Sequence, residues 1–195
     1  LTGFVIEPTI NRVMNRKVWD ILSAAVLIFG AIWTAVSAPA PGSLTEGQAP
    51  APRAGFLAPD LELENSAGQK VRLSDFRGRP VLLNFWASWC PPCQAEMPAM
   101  QIVHDEYGSQ GFVVLAVNTT FQDSEVSALQ FAAERGLSFP ILFDRDGKIS
   151  RQYEVRSMPT SFFIGADGVI REVVVGGPMS EGLLRSQAEQ LLEER

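Results

Sequence analysis

Two cysteines and a single histidine, His104, are a thin supply of soft ligands for a chain of 195 residues. So few cysteines cannot make the framework of several disulfides that staples a small secreted domain, so the fold must rest on a buried core. One imidazole rules out a multi-histidine metal site, and a four-ligand zinc site finds only Cys90, Cys93 and His104. Copper(I), which is content with two thiolates, stays open. Positive charge is short as well. The 16 Lys and Arg against 22 Asp and Glu leave a net charge of -6, which argues against a nucleic-acid partner. No repeat of about 20 to 50 residues is visible. What the chain has is 46% hydrophobic residues, enough to build one ordinary domain with further segments attached.

The first of those segments is residues 21–38, ILSAAVLIFGAIWTAVSA, which carry no charge. The run is near the lower limit for crossing a hydrocarbon core about 30 Å thick, and it lacks the polar stripe of a soluble helix. Val18 and Trp19 extend it past Asp20, so residues 18–38 are expected to form a transmembrane anchor. Arg12, Arg16 and Lys17 precede it, and no basic residue follows until Arg53. By the positive-inside rule residues 1–17 then lie in the cytoplasm and everything after the anchor lies outside it, facing the periplasm or an equivalent space. Val36 with Ala38, or Ala38 with Ala40, offers small residues of the cleavage-site type, but either cut would leave a leading proline. An uncleaved, single-pass anchor in the inner (cytoplasmic) membrane is therefore expected. Met14 opens a compact basic lead into it and is a candidate translation start. Residues 39–55, PAPGSLTEGQAPAPRAG, are rich in Pro, Ala and Gly and have no apolar periodicity, which reads as a linker.

Residues 56–195 alternate strand and helix signals. VLLNFW (81–86) and FVVLAV (112–117) are short apolar runs suited to strands buried on both faces. Residues 91–107 and 124–135 are helical in pattern, with Ser124 as N-cap and Gly136 as a stop. Residues 161–164 and 169–175 bracket a Gly-Ala-Asp-Gly turn and predict a hairpin, and 180–194 predict a closing helix. The order implies an α/β fold with a mixed central sheet and helices on both faces.

Cys90-Pro91-Pro92-Cys93 falls where the first buried strand gives way to a helix. The thiolate is the nucleophile in disulfide exchange, and the unpaired amides and positive pole of a helix N-terminus favour it. Lowering a cysteine pKa from about 8.5 to about 7 raises the thiolate fraction at pH 7 roughly 16-fold. Weaker intrinsic nucleophilicity takes back roughly fivefold of that, so the larger benefit is that a stabilised thiolate leaves faster when the second cysteine attacks. His104 lies eleven positions beyond Cys93, too far along a helix to share the site, and reads as a solvated side chain. Met97, Met100 and Met158 could ligate a soft metal, but core packing is the commoner use of methionine.

APDLELENSAGQKVRLSDFRGRPVLLNFWASWCPPCQAEMP, followed downstream by MPTSFF, closely resembles the TlpA/ResA-like family of membrane-anchored, extracytoplasmic thioredoxin-fold proteins. The likeness spans residues 58 to about 192 and implies a thioredoxin-like fold. It implies that Cys90 attacks, that Cys93 resolves, and that the two form a redox-active disulfide with no metal or cofactor. Trp86 and Trp89 become the aromatics flanking the motif, and Pro159 a cis-proline packed on the disulfide. Trp89, Pro91, Pro92, Met158 and Pro159 become the substrate-binding surface.

Cytoplasmic thioredoxins place a buried aspartate where this chain has Asn84, an amide that cannot take a proton. Another group must then deprotonate Cys93. Glu96, three residues on and so on the same helical face, is the candidate, and the family likeness points to the same position. The plainer alternative is a first-turn glutamate that complements the helix dipole. Pro98 in this helix is expected to mark a kink.

The function expected is reduction of disulfides in exported client proteins by dithiol-disulfide exchange, with electrons supplied by a membrane-embedded thiol-transferring donor. Both residues between the cysteines are prolines, which offer the thiolate no side-chain or backbone donor, and a less stabilised thiolate makes a less oxidising disulfide. The resemblance implies two client classes, apocytochrome c and copper-site proteins of terminal oxidases. A copper(I) carrier is the alternative from another class. A peroxiredoxin-like peroxidase is a further one, although LNFWASW before Cys90 is not the Pro-x-x-x-Thr-x-x-Cys setting of those enzymes.

Overall fold

The computed structural model describes residues 25–26 and 49–194. Ala25 and Val26 are helical and exposed. The rest of the expected anchor, and residues 1–17, lie outside the described residues. Among the described residues no helix is long and apolar enough to cross a membrane.

Among the described residues seven strands form one mixed sheet: β1 (Glu62–Asn65), β2 (Lys70–Arg72), β3 (Val81–Trp86), β4 (Val113–Asn118), β5 (Ile141–Phe143), β6 (Thr160–Ile164) and β7 (Ile170–Val175). Their order is β2-β1-β5-β4-β3-β6-β7. The central strands β3, β4 and β5 are parallel, and β6, β7, β1 and β2 add on antiparallel. Every residue of β3 and β4 is buried, as their unbroken apolar runs require of strands covered on both faces. Side chains alternate between two apolar clusters. Leu82 and Trp86 of β3 with Val114 and Ala116 of β4 point to one, and Leu83 and Phe85 with Leu115 and Val117 to the other.

The first cluster is covered by α1 (Pro91–Tyr107), α2 (Glu125–Glu134) and α4 (Glu181–Glu193), which contribute Met97, Met100, Phe131, Leu184 and Leu191. The second is covered by α3 (Lys148–Gln152), a 3-10 turn over Leu73–Phe76, and residues around Ala58 and Leu61. Asn84 shares the parity of Leu82 and Trp86, so the one polar side chain of β3 faces α1. That parity builds the site.

The caps follow the sequence. Ser124 and Ser180 accept the backbone N–H groups of Ser127 and Leu183 at 3.0 and 3.2 Å, and Gly136 ends α2 with φ +65°. Strand β4 lies one residue later than expected, since Phe112 spends its N–H on Tyr107 in the turn out of α1. Pro98 lies within α1, which continues to Tyr107. Strands β1, β2 and β5 and helix α3 escape the sequence reading because each is too short to show a period.

The last residues of the proline-rich segment join the fold. Gly55 donates to the carbonyl of Ile170, Ile170 donates back to Phe56, and Leu57 bridges to Val169. Composition alone hides this, because the sheet edge satisfies the backbone there, not the segment's own side chains.

Candidate active site

Cys90 is the N-cap of α1, and Pro91 and Pro92 occupy the first two helical positions, where a missing N–H costs nothing and the fixed φ is already helical. Cys90 and Cys93 are joined in a disulfide, with Cα atoms 5.3 Å apart. The Cys93 N–H approaches Cys90 Sγ at 3.4 Å, and Gln94 donates to the Cys90 carbonyl at 3.0 Å. Of the first three helical residues only Cys93 therefore has an amide to offer the Cys90 sulfur. Cys90 is 4% exposed and Cys93 fully buried, which makes Cys90 the sulfur an incoming disulfide can reach.

The strand-to-helix turn is clamped from below. Asp123 accepts the Ser88 N–H and hydroxyl at 2.6 and 2.7 Å, the Asn118 amide at 2.8 Å and the Ser124 N–H at 2.8 Å. Burial alone would raise the pKa of Asp123, but these bonds outweigh it and hold the group below the usual aspartate value. Trp89 follows on that turn, half-exposed at 54%, with its indole N–H donated to the Gln122 carbonyl at 2.9 Å. Trp86, by contrast, is a core residue packed on Phe131 at 5.6 Å, and its indole N–H is buried without a partner.

Glu96 is fully buried one turn beyond Cys93. Its Oε1 accepts from Asn84 Nδ2 at 2.8 Å and its Oε2 from the Met179 N–H at 3.0 Å. Removal from water pushes its pKa up to about 6, and the bonds from Met179 and Asn84 limit the rise. A carboxylate titrating there can take a proton from a neighbouring thiol and give it up again near neutrality. Its burial sets aside the plain helix-dipole role, which suits a solvated first-turn glutamate.

The Met158–Pro159 peptide bond is cis. Met158 is half-buried and packed against the apolar cluster that holds both cysteines, with the Thr119 hydroxyl on its sulfur at 3.3 Å. Pro159 accepts the Gly176 N–H at 2.8 Å. A Cβ on Gly177 would meet Pro159 Cγ at 2.6 Å and Glu96 Oε2 at 2.8 Å. The loop after β7 thus closes over both Pro159 and Glu96, and the site includes Asn84, Ser161, Gly177 and Met179 beside the residues expected from the sequence. Asn84 was legible as a missing base; its role as a donor to Glu96 was not. Gly177 and Met179 lie more than 80 positions from the cysteines, and no local pattern marks them.

Met97 and Met100 are core residues. His104 stands apart from the site, but it is half-buried and edge-on to Phe139 at 5.9 Å, not solvated as expected. Among the described residues no group of three or more potential ligands could hold a metal ion. A hollow of about 480 Å³ lined by Glu62, Glu64, Arg145 and Lys148 contains none of the candidate residues.

Residues 54–173 match the model of the AhpC/TSA family. The chain is 40% identical over 131 residues to the thiol-disulfide oxidoreductase ResA of Geobacillus kaustophilus, covering 67% of this chain and 74% of that relative. It is 45% identical over 123 residues to the thioredoxin-like protein YneN of Bacillus subtilis, covering 63% and 71%. Among solved structures, a Chlorobium tepidum protein assigned as the thiol:disulfide interchange protein DsbE superposes with a TM-score of 0.65 at 37% identity, over 72% of this chain and 97% of that one.

Proposed function

Because the chain belongs to the AhpC/TSA family and is a thioredoxin-fold thiol-disulfide oxidoreductase, we propose that it works as a reductase of disulfides in exported proteins, held to the membrane by residues 18–38 with its catalytic domain outside the cytoplasm. The observation that carries the direction of electron flow is the poverty of donors at Cys90: two prolines open the helix, and only the Cys93 amide faces the sulfur. A thiolate so lightly stabilised makes a disulfide that is hard to reduce, and the reduced pair is correspondingly a good reductant.

In the reaction the Cys90 thiolate attacks a client disulfide, forming a Cys90–client disulfide and releasing one client thiolate. Cys93 gives its proton to Glu96 and attacks Cys90 Sγ. The Cys90–Cys93 bond forms, the mixed disulfide breaks, and the second client thiolate leaves, so two electrons have passed to the client. A membrane-embedded dithiol donor then returns them by the same exchange in reverse. The resemblance noted above supports apocytochrome c and copper-site proteins as client classes. Closure of Cys90 onto a cysteine three residues away favours dithiol exchange over a peroxidase cycle.

The test is trapping in the native host. Cys93→Ala should accumulate covalent adducts with client and donor proteins, and Cys90→Ala should show none and lose all disulfide reduction. Retained turnover in both variants would refute the proposal.

A further inference from the structure

Asn84 is bonded in an incomplete way. Its Nδ2 donates both hydrogens, to Glu96 Oε1 at 2.8 Å and to Ser161 Oγ at 2.8 Å, while its Oδ1 is buried without a partner. All three residues are buried, so no bulk solvent relieves that oxygen. An unmet buried acceptor is costly, and a native fold that keeps one invites a reason. The arrangement suits an ionised Glu96, which only accepts hydrogen bonds. It does not suit a protonated one. Met179 presents a backbone N–H to Oε2 that cannot turn round, which favours Oε1, the oxygen that faces Asn84, for an incoming proton. On the lone pair that now accepts from Asn84, a hydroxyl would confront the Nδ2 hydrogen, donor against donor.

An amide resolves this by rotating half a turn about its last torsion. Oδ1 would then lie between Glu96 and Ser161 and accept from both hydroxyls, using its two lone pairs, and Nδ2 would occupy the place where the unpartnered oxygen now sits. Ser161 suits either state, because a hydroxyl accepts from Nδ2 in the first and donates to Oδ1 in the second. We propose that the Asn84 amide, held between Glu96 and Ser161, reverses its donor and acceptor ends as Glu96 gains and loses the proton of Cys93, making Asn84 and Ser161 positioning residues for the resolution step. The thioredoxin-like strand thereby serves proton transfer with an amide that never titrates. The inference rests on Glu96 being the base. The groups that face Glu96 are the Asn84 amide from β3 and the Met179 N–H from the loop after β7, neither of which titrates; on its own helix the titratable neighbour is Cys93, tied in the disulfide.

The measurement is side-chain NMR of the oxidised full chain with labelled Asn and Glu, titrated from pH 4 to 9. As the Glu96 carboxyl carbon titrates, the nuclear Overhauser contacts from the Asn84 amide hydrogens to the Ser161 β-hydrogens should be lost at low pH. The Asn84 carbonyl carbon should move with the same midpoint. In Glu96→Gln these changes should vanish.

A titrating Glu96 with Asn84 contacts unchanged would overturn the reversal and leave the base intact. If Glu96→Gln leaves resolution at its normal rate, the base itself falls, and the reversal with it.

Discussion

At the scale of single residues, Glu96 carries a charge where the fold least welcomes it. Its pKa in the folded protein is about 6 against 4.5 in the open chain, so between those values the folded state binds more protons than the unfolded one. Stability from this group is therefore full below about pH 4.5 and falls as pH rises through about 6. A glutamine has no such dependence. Between pH 4 and 7.5 the unfolding free energy of oxidised Glu96→Gln should improve relative to the native protein by about 2 kcal/mol, read from urea melts at the two pH values. The same variant should resolve mixed disulfides roughly 10²-fold more slowly in stopped-flow, since shape is kept and the base is gone. A helix-capping glutamate would show the opposite pair of results, a stability loss with an intact rate.

Elements meet at this site because three separate segments converge on one carboxylate. Strand β3 brings Asn84, α1 brings Glu96, and the loop between β7 and α4 brings the Met179 N–H. Gly177 permits the last approach, since a methyl group there would lie 2.6 Å from the Pro159 ring and 2.8 Å from Glu96 Oε2. The proline ring cannot swing aside and the carboxylate is pinned at both oxygens. Gly177→Ala should therefore cost about 1 to 3 kcal/mol in a urea melt and slow resolution as Met179 is displaced. Gly182, near the start of α4, is the contrasting case, with nothing within 4 Å of an added Cβ. Gly182→Ala should leave the rate unchanged and gain up to about 0.5 kcal/mol.

The whole molecule adds two expectations. With the Cys93 amide as the lone backbone donor to Cys90 Sγ among the described residues, the pair should equilibrate with a dithiothreitol couple at a potential nearer thioredoxin's, about -270 mV, than the -120 mV or so of a strong periplasmic oxidant. A value above about -180 mV would reverse the direction of electron flow. The apolar run of residues 21–38 should keep the full chain in the membrane fraction through a carbonate wash, with residues 56–195 open to protease from outside the cytoplasm. A mature N-terminus at Pro39 or Pro41 would remove the anchor and leave the enzyme.

What could be read without coordinates was whatever is local in the chain. Two buried strands, three of the four described helices, the Ser124 cap, and the cysteine pair at a strand-to-helix turn all follow from period, capping and spacing within a short stretch of chain. The placement of Glu96 on the Cys93 face follows from the turn of a helix in the same way. Tertiary structure alone decided the environment of that carboxylate. Burial, the Asn84 and Met179 donors and the close approach of Gly177 join residues 12, 83 and 81 positions from Glu96, and no local pattern records which distant backbone will supply an N–H. The short strands β1, β2 and β5 belong to the same class: each has three or four residues, too few for a period, and exists because a neighbouring strand accepts its hydrogen bonds.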